Sequence, residues 1–198
     1  EEIGVWCACT SGGRYMVNIT ISGPPGSGTS TLVGKLERHF GWSSLNGGQV
    51  FRDEASRRGL DLLAFGRLCR DDLSVDRALD EELQRRISEN DGPDIIESRL
   101  AGRWAYQIGV DCVRLWLEVS ERERALRVVA REGGTLEQRL SDSATRMAID
   151  HSRFAELYGL QPSDPEPYSD TISADDMSAD EVFIETLTIL QKRGFGDV

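Results

Sequence analysis

Residues Gly23-Pro24-Pro25-Gly26-Ser27-Gly28-Thr29-Ser30 follow the G-x-x-x-x-G-K-[ST] frame of a phosphate-cradling loop, with threonine where lysine is customary. Glycines at 23, 26 and 28 let successive backbone N–H groups curl round a chain of phosphates. A helix starting near Thr29 would add its positive dipole end. Ser30 offers a hydroxyl suited to Mg²⁺, and Thr31 continues the loop into the helix. The missing ammonium removes one charged hydrogen bond, a loss of about 1.5–3 kcal/mol unless another cation replaces it. The backbone features do not depend on that side chain, so the loop is expected to bind a nucleoside triphosphate.

A second pattern lies far downstream. Arg146, Asp150 and Arg153 stand at i, i+4 and i+7, which at 3.6 residues per turn brings the two arginines within roughly 20° of each other on a helix. Spacing alone also fits a solvated face with an i, i+4 ion pair. Lys35 and Lys192 are the only lysines, so nearly all positive charge is arginine, the side chain best suited to forked recognition of phosphate oxygens.

These residues need elements to hold them. Val17, Ile19 and Ile21 form a short β-rich run ending at Gly23, and Leu32, Val33, Leu36 and Phe40 keep helical spacing over Thr29 to Phe40. Helical patterns follow at about Gln49 to Arg58, Asp61 to Cys69 and Ser74 to Ser88, with the polar Arg70 to Asp72 as a separator. Further strands are expected at Asp94 to Ser98, at Cys112 to Val119 and near Thr171 to Ser173. In the second of these, Val113, Leu115, Leu117 and Val119 share one face, with Trp116 on the other. Ser120 to Glu123, Thr135 to Gln138 and Ser178 to Glu181 carry the capping-box pattern and mark three helix starts, the last helix reaching about Lys192. Strands alternating with helices indicate an α/β fold with a parallel sheet.

At 198 residues and 39% hydrophobic content the chain can form one well-buried domain. No apolar run reaches the roughly 18 residues of a membrane helix, so a cytoplasmic location is expected. A net charge of -11 argues against nucleic acid and anionic membranes as partners and favours a small ligand. Cys7, Cys9, Cys69 and Cys112 do not form a disulfide framework, and Cys7-x-Cys9 lacks a second pair of metal ligands. Residues Glu1 to Tyr15 show no period and are expected to be a disordered or non-native extension, with Met16 as the natural start. No Asn-Lys-x-Asp guanine-reading motif occurs. Leu45-Asn46-Gly47-Gly48-Gln49 mimics a transporter ATPase signature but follows the first helix too closely, and Gly47 and Gly48 read instead as a turn admitting a second substrate.

Taken together, Ile19 to Thr31 (ITISGPPGSGTST), Gly47 to Arg52 (GGQVFR), Val75 to Asp80 (VDRALD) and Glu97 to Gly102 (ESRLAG) resemble the archaeal-type cytidylate kinases, a nucleoside monophosphate kinase group of P-loop proteins. The match runs from about Met16 to Lys192, and Leu157, where an aromatic residue is usual, departs from it.

The resemblance implies a three-layer α/β/α P-loop fold with a five-stranded parallel sheet, an acceptor-binding block at about 47–90 and a lid at about 131–158, within one domain over 16–198. It implies transfer of the γ-phosphoryl of ATP to CMP, and to dCMP, by a monomer using Mg²⁺. Gly23 to Thr31 would hold ATP. Arg52 and Arg99 would hold the acceptor's phosphate or sugar, with Gly48 in the turn that admits it and Asp76, Arg77 and Asp80 toward its base. Arg131, Arg146 and Arg153 would neutralise the transferring phosphoryl. Ser30 would meet Mg²⁺ directly and Glu97, at a strand's carboxyl end, through water. The alternatives are a kinase for AMP, UMP or a nonnucleotide acceptor, and a nucleotide-binding protein without transfer activity.

Overall fold

The computed structural model describes residues 17–195. The expectations for Glu1 to Met16, including the Cys7-x-Cys9 pair, lie outside these residues.

Five parallel strands form one sheet: β1 (Ile19–Ser22), β2 (Ser44–Asn46), β3 (Ile95–Glu97), β4 (Val113–Glu118) and β5 (Asp170–Ser173), in the order β2-β3-β1-β4-β5. The helices between them are α1 (Thr29–Phe40), α2 (Gly47–Arg57), α3 (Leu62–Asp71), α4 (Leu73–Ser88), α5 (Ala101–Ile108), α6 (Glu121–Glu132), α7 (Leu136–Tyr158) and α8 (Ala179–Lys192). The strand alternation sorts side chains between two layers. Ile19, Ile21, Ile95 and Leu115 pack with α1 and α8, whereas Val17 and Ile96 pack with Leu83, Trp104 and Phe154 of α4, α5 and α7. A fully buried side chain such as Leu36 contributes about 1.5–3 kcal/mol. A third, separate cluster of Ala55, Phe65, Cys69 and Val75 binds α2, α3 and α4 into a block of their own.

Three features differ from the sequence pattern. Ser44–Asn46 is an edge strand, where the pattern showed no strand; its only apolar residue is Leu45, and its register comes from pairing with β3, Asn46 opposite Glu97. Gly47 and Gly48 are the first turn of α2 rather than a turn before it, with Asn46 as the N-cap. Glycine is needed at 47 by close approach, since a Cβ there would stand 2.8 Å from the Ser98 Cβ. Helix α5 also escaped the pattern, being eight residues long and largely buried. The three expected caps are present: Ser120, Thr135 and Ser178 each accept a backbone N–H three residues on, and Ser178–Glu181 completes both halves of the box. No described helix is long and apolar enough to cross a membrane.

Candidate functional site

The carboxyl ends of β1, β2 and β3 open on one cleft of about 540 Å³, within the size range of small-molecule pockets. At its head is the β1–α1 loop. Gly26 (φ 84°) and Gly28 (φ 99°) adopt the left-handed backbone that only glycine takes freely. Helix α1 starts without a side-chain cap and without an acid in its first turn. Its opening N–H groups and its dipole therefore remain available to an anion.

The loop's carbonyls are drawn outward by two arginines of α6 that the sequence pattern did not single out. Arg124 donates Nη1 to the Pro25 carbonyl at 3.1 Å, and Arg127 donates Nη1 to the Ser27 carbonyl at 2.8 Å. Burial holds Arg124 below the usual arginine range. Nothing in the sequence distinguished these two, because α6 is charged along most of its length.

Beside the loop, Glu97 at the end of β3 gathers donors. Thr29 Oγ1 donates to its Oε1 at 2.5 Å, Ser30 Oγ to the same oxygen at 2.9 Å, and Asn46 Nδ2 to Oε2. Burial raises the Glu97 carboxyl above its ordinary range, and the hydrogen bonds from Thr29 and Ser30 oppose that rise. A hydroxyl and a carboxylate side by side are hard oxygen donors that suit Mg²⁺. No group of three His, Cys or acidic side chains able to hold a metal ion occurs among the described residues. Thr29, at the lysine position, is thus engaged with Glu97.

Deeper in the cleft a chain of buried charges crosses from the loop to the helical block. Arg99 donates Nη1 to the Gly23 carbonyl at 3.2 Å and pairs through Nη2 with Asp150 at 3.0 Å. Asp150 reaches Arg153 at 3.3 Å, and Arg153 meets Asp76 at 2.5 Å. The Arg153 guanidinium also lies over the rings of Phe51 and Phe154. Burial lowers Arg99 to about 10 against the pull of Asp150, and raises Asp76 against the pull of Arg153. Asp80, one turn along α4 from Asp76, accepts the Tyr158 hydroxyl at 2.8 Å.

The predicted residues are therefore mostly, though not all, in one place. The cleft is lined by Gly23, Pro24, Pro25, Gly26, Thr29 and Ser30 from the loop, by Gly48, Arg52, Asp76, Asp80, Glu97 and Arg99, and by Arg131, Arg146 and Arg153. Arg131 and Arg146 are exposed, whereas Arg153 is buried and already paired, so the helix face shared by Arg146 and Arg153 runs from solvent into the core. Arg77 is exposed on α4 and Thr31 on α1, both outside the cleft lining, because their neighbours Asp76 and Ser30 take the inward positions. Ser27 is buried beneath the loop, and Arg52 folds back onto Gln49 of its own helix at 2.8 Å.

Burial, opposed by the Tyr158 hydrogen bond, lifts the Asp80 carboxyl from its ordinary 3.8 to about 6. The folded protein thus keeps this proton up to about pH 6, while the unfolded chain releases it near pH 4. The group favours folding below pH 4, and that advantage, about 3 kcal/mol, is lost as pH rises through 6. Asp80→Asn, which keeps an acceptor for Tyr158, is expected to gain several degrees in thermal midpoint relative to the parent between pH 4 and pH 7. A difference that stays flat across that range would contradict the buried-carboxyl assignment.

Comparison with known proteins gives a consistent picture. The sequence family described as an AAA domain matches residues 22–152. Cytidylate kinase from Methanocorpusculum labreanum is 35% identical over 167 residues, covering 84% of this chain and 92% of its own. Cytidylate kinase from Methanoculleus marisnigri is 37% identical over 164 residues, covering 83% and 88%. Among solved structures, a gluconokinase from Sinorhizobium meliloti 1021 superimposes with a TM-score of 0.58 at 17% identity, covering 91% of this chain and 94% of its own. At that identity it speaks for the fold alone.

Proposed function

Because the chain belongs to the cytidylate kinase family, we propose that it transfers the γ-phosphoryl group of ATP to the 5′-phosphate of CMP, and of dCMP, forming ADP and the nucleoside diphosphate. The observation that carries this reading is the single cleft joining an uncapped helix tip at one end to buried arginines and acids at the other. An oxygen of the acceptor phosphate forms the new P–O bond while the bond from the γ-phosphorus to the β-bridging oxygen breaks, and ADP leaves with that electron pair. Because the attacking group is already an oxyanion, no protein nucleophile or base is required, and positioning with charge neutralisation supplies the catalysis.

The N–H groups of Gly26, Gly28, Thr29 and Ser30 hold the triphosphate, and Arg131 and Arg146 at the mouth take the role that a loop lysine would have filled. Ser30, and Glu97 through water, would hold Mg²⁺, which when bound would neutralise phosphate charge. Arg52 and Arg99 face the acceptor phosphate, with Arg153 between them and the base-side acids Asp76 and Asp80. Closure of the lid at about 131–158 would bring Arg131 and Arg146 over the phosphates and exclude water, limiting idle ATP hydrolysis.

Coupled ADP release measured across CMP, dCMP, UMP and AMP tests the assignment. CMP is expected to give the highest kcat/KM. An AMP value well above that for CMP would overturn it.

A further inference from the structure

Asn46, a donor to Glu97 and the cap of α2, touches both halves of the site. It ends β2 opposite Glu97 and caps α2. One end of its amide, Oδ1, accepts the Gln49 N–H at 2.8 Å and so fixes the start of α2. Its other end, Nδ2, donates to Glu97 Oε2 and lies 3.4 Å from Ser30 Oγ. Helix α2 carries Gly48 and Arg52, and Gln49 itself accepts from the Arg52 guanidinium at 2.8 Å through its side chain. A continuous path therefore runs from Ser30 and Glu97, through one planar amide, to Arg52.

That amide cannot serve its two partners independently. Oδ1 and Nδ2 are fixed to one sp² carbon, so a rotation that follows Glu97 also moves the cap of α2. In the structure as it stands, Glu97 shares its carboxylate among three donors: Thr29, Ser30 and Asn46. Recruitment of Ser30 to the triphosphate's cation would exchange its hydrogen bond on Oε1 for one from a cation-bound water and leave Oε2 to Asn46. A firmer Asn46–Glu97 contact in turn fixes the α2 cap and the helix that presents Arg52. Linkage requires the converse to hold equally: an acceptor that steadies α2 steadies Glu97.

Resting on the kinase reading above, we propose that Asn46 is a positioning residue that couples the two substrate half-sites, so that ATP with its cation and the acceptor nucleotide bind synergistically through it. Serine separates the two duties of Asn46, because it caps a helix as well as asparagine does but is too short to reach Glu97. Aspartate keeps the length and the cap but offers Glu97 a repelling oxygen in place of a donor.

The test is calorimetric titration of CMP into the protein, with and without a saturating non-hydrolysable ATP analogue and Mg²⁺. In the parent protein the analogue is expected to tighten CMP binding about tenfold. In Asn46→Ser and Asn46→Asp that factor should fall to within twofold of unity, while in Asn46→Ser CMP alone binds within threefold of the parent and the thermal midpoint holds. Three results would each overturn the proposal: no coupling in the parent, full coupling in the variants, or equal weakening of CMP with and without the analogue, which is what a purely structural cap would give. A parent protein that binds neither ligand would instead remove the kinase reading and this inference with it.

Discussion

Arg153→Met is expected to cost about 3–5 kcal/mol of stability and, in whatever folded protein remains, to lower kcat for CMP by two to three orders of magnitude. The stability loss comes from what is left behind. Asp76 is only 4% exposed and pairs with Arg153 at 2.5 Å, so the substitution strands a buried carboxylate already raised by desolvation. Asp150 suffers less, because it retains Arg99 at 3.0 Å. The catalytic loss comes from removing a guanidinium held between the acceptor block and the lid, on the wall the two phosphates would share.

The two effects separate experimentally. Replacing a whole buried pair by apolar residues of similar volume is often neutral, so Asp76→Leu combined with Arg153→Met should recover most of the lost stability without recovering activity. Denaturant unfolding and steady-state assays on the single and double variants decide the matter. A double variant as active as the parent would exclude Arg153 from catalysis. A single variant of parental stability would mean that the Asp76 charge is not stranded.

Gly23→Ala is expected to weaken Mg·ATP binding by at least a hundredfold. The reason is a clash in the loop. A Cβ on Gly23 would stand 2.7 Å from Ser27 Oγ and 2.9 Å from the Leu117 carbonyl. Neither can retreat cheaply: Ser27 is fully buried, and the carbonyl belongs to β4, which pairs with β1 in register from Ile19 to Ser22. Relief therefore requires the loop itself to shift, which misaims the N–H groups that cradle the phosphates and disturbs the Gly23 carbonyl that Arg99 grips. Gly28→Ala is the informative companion, since its Cβ would meet no atom nearer than Arg127 Nη1 at 3.8 Å and its cost is the left-handed φ of 99° alone. Calorimetry should rank the parent above Gly28→Ala and Gly28→Ala above Gly23→Ala. The reverse order of the two variants would show that backbone strain, rather than close packing at β4, limits this loop.

Which of these residues could be read without coordinates follows from the range of the interaction each one makes. The phosphate loop, the caps at Ser120, Thr135 and Ser178, and strands β1, β3 and β4 are local: a glycine's freedom, a hydroxyl three residues before a bare N–H, or a run of alternating apolar residues acts within a few positions of itself. Edge strand β2 and helix α5 were not legible, because three residues with one apolar side chain, or eight residues making barely two turns, are too short to establish a period. Arg146 and Arg153 were placed on one helix face by their spacing. That one would lie in solvent and the other in a buried chain of charges depends on Asp76, 77 positions away, and no spacing rule reaches so far. The same holds for Asp150, legible as an i+4 partner of Arg146 and found instead gripping Arg99, and for Arg77 and Asp76, adjacent in the chain and pointing to opposite environments. By itself, then, the sequence determined the secondary structure around the loop, the chemistry of a triphosphate site and the family. Tertiary structure alone decided which of many arginines and acids are desolvated together, because Coulomb attraction grows when water is excluded and exclusion is set by packing between segments distant in the chain.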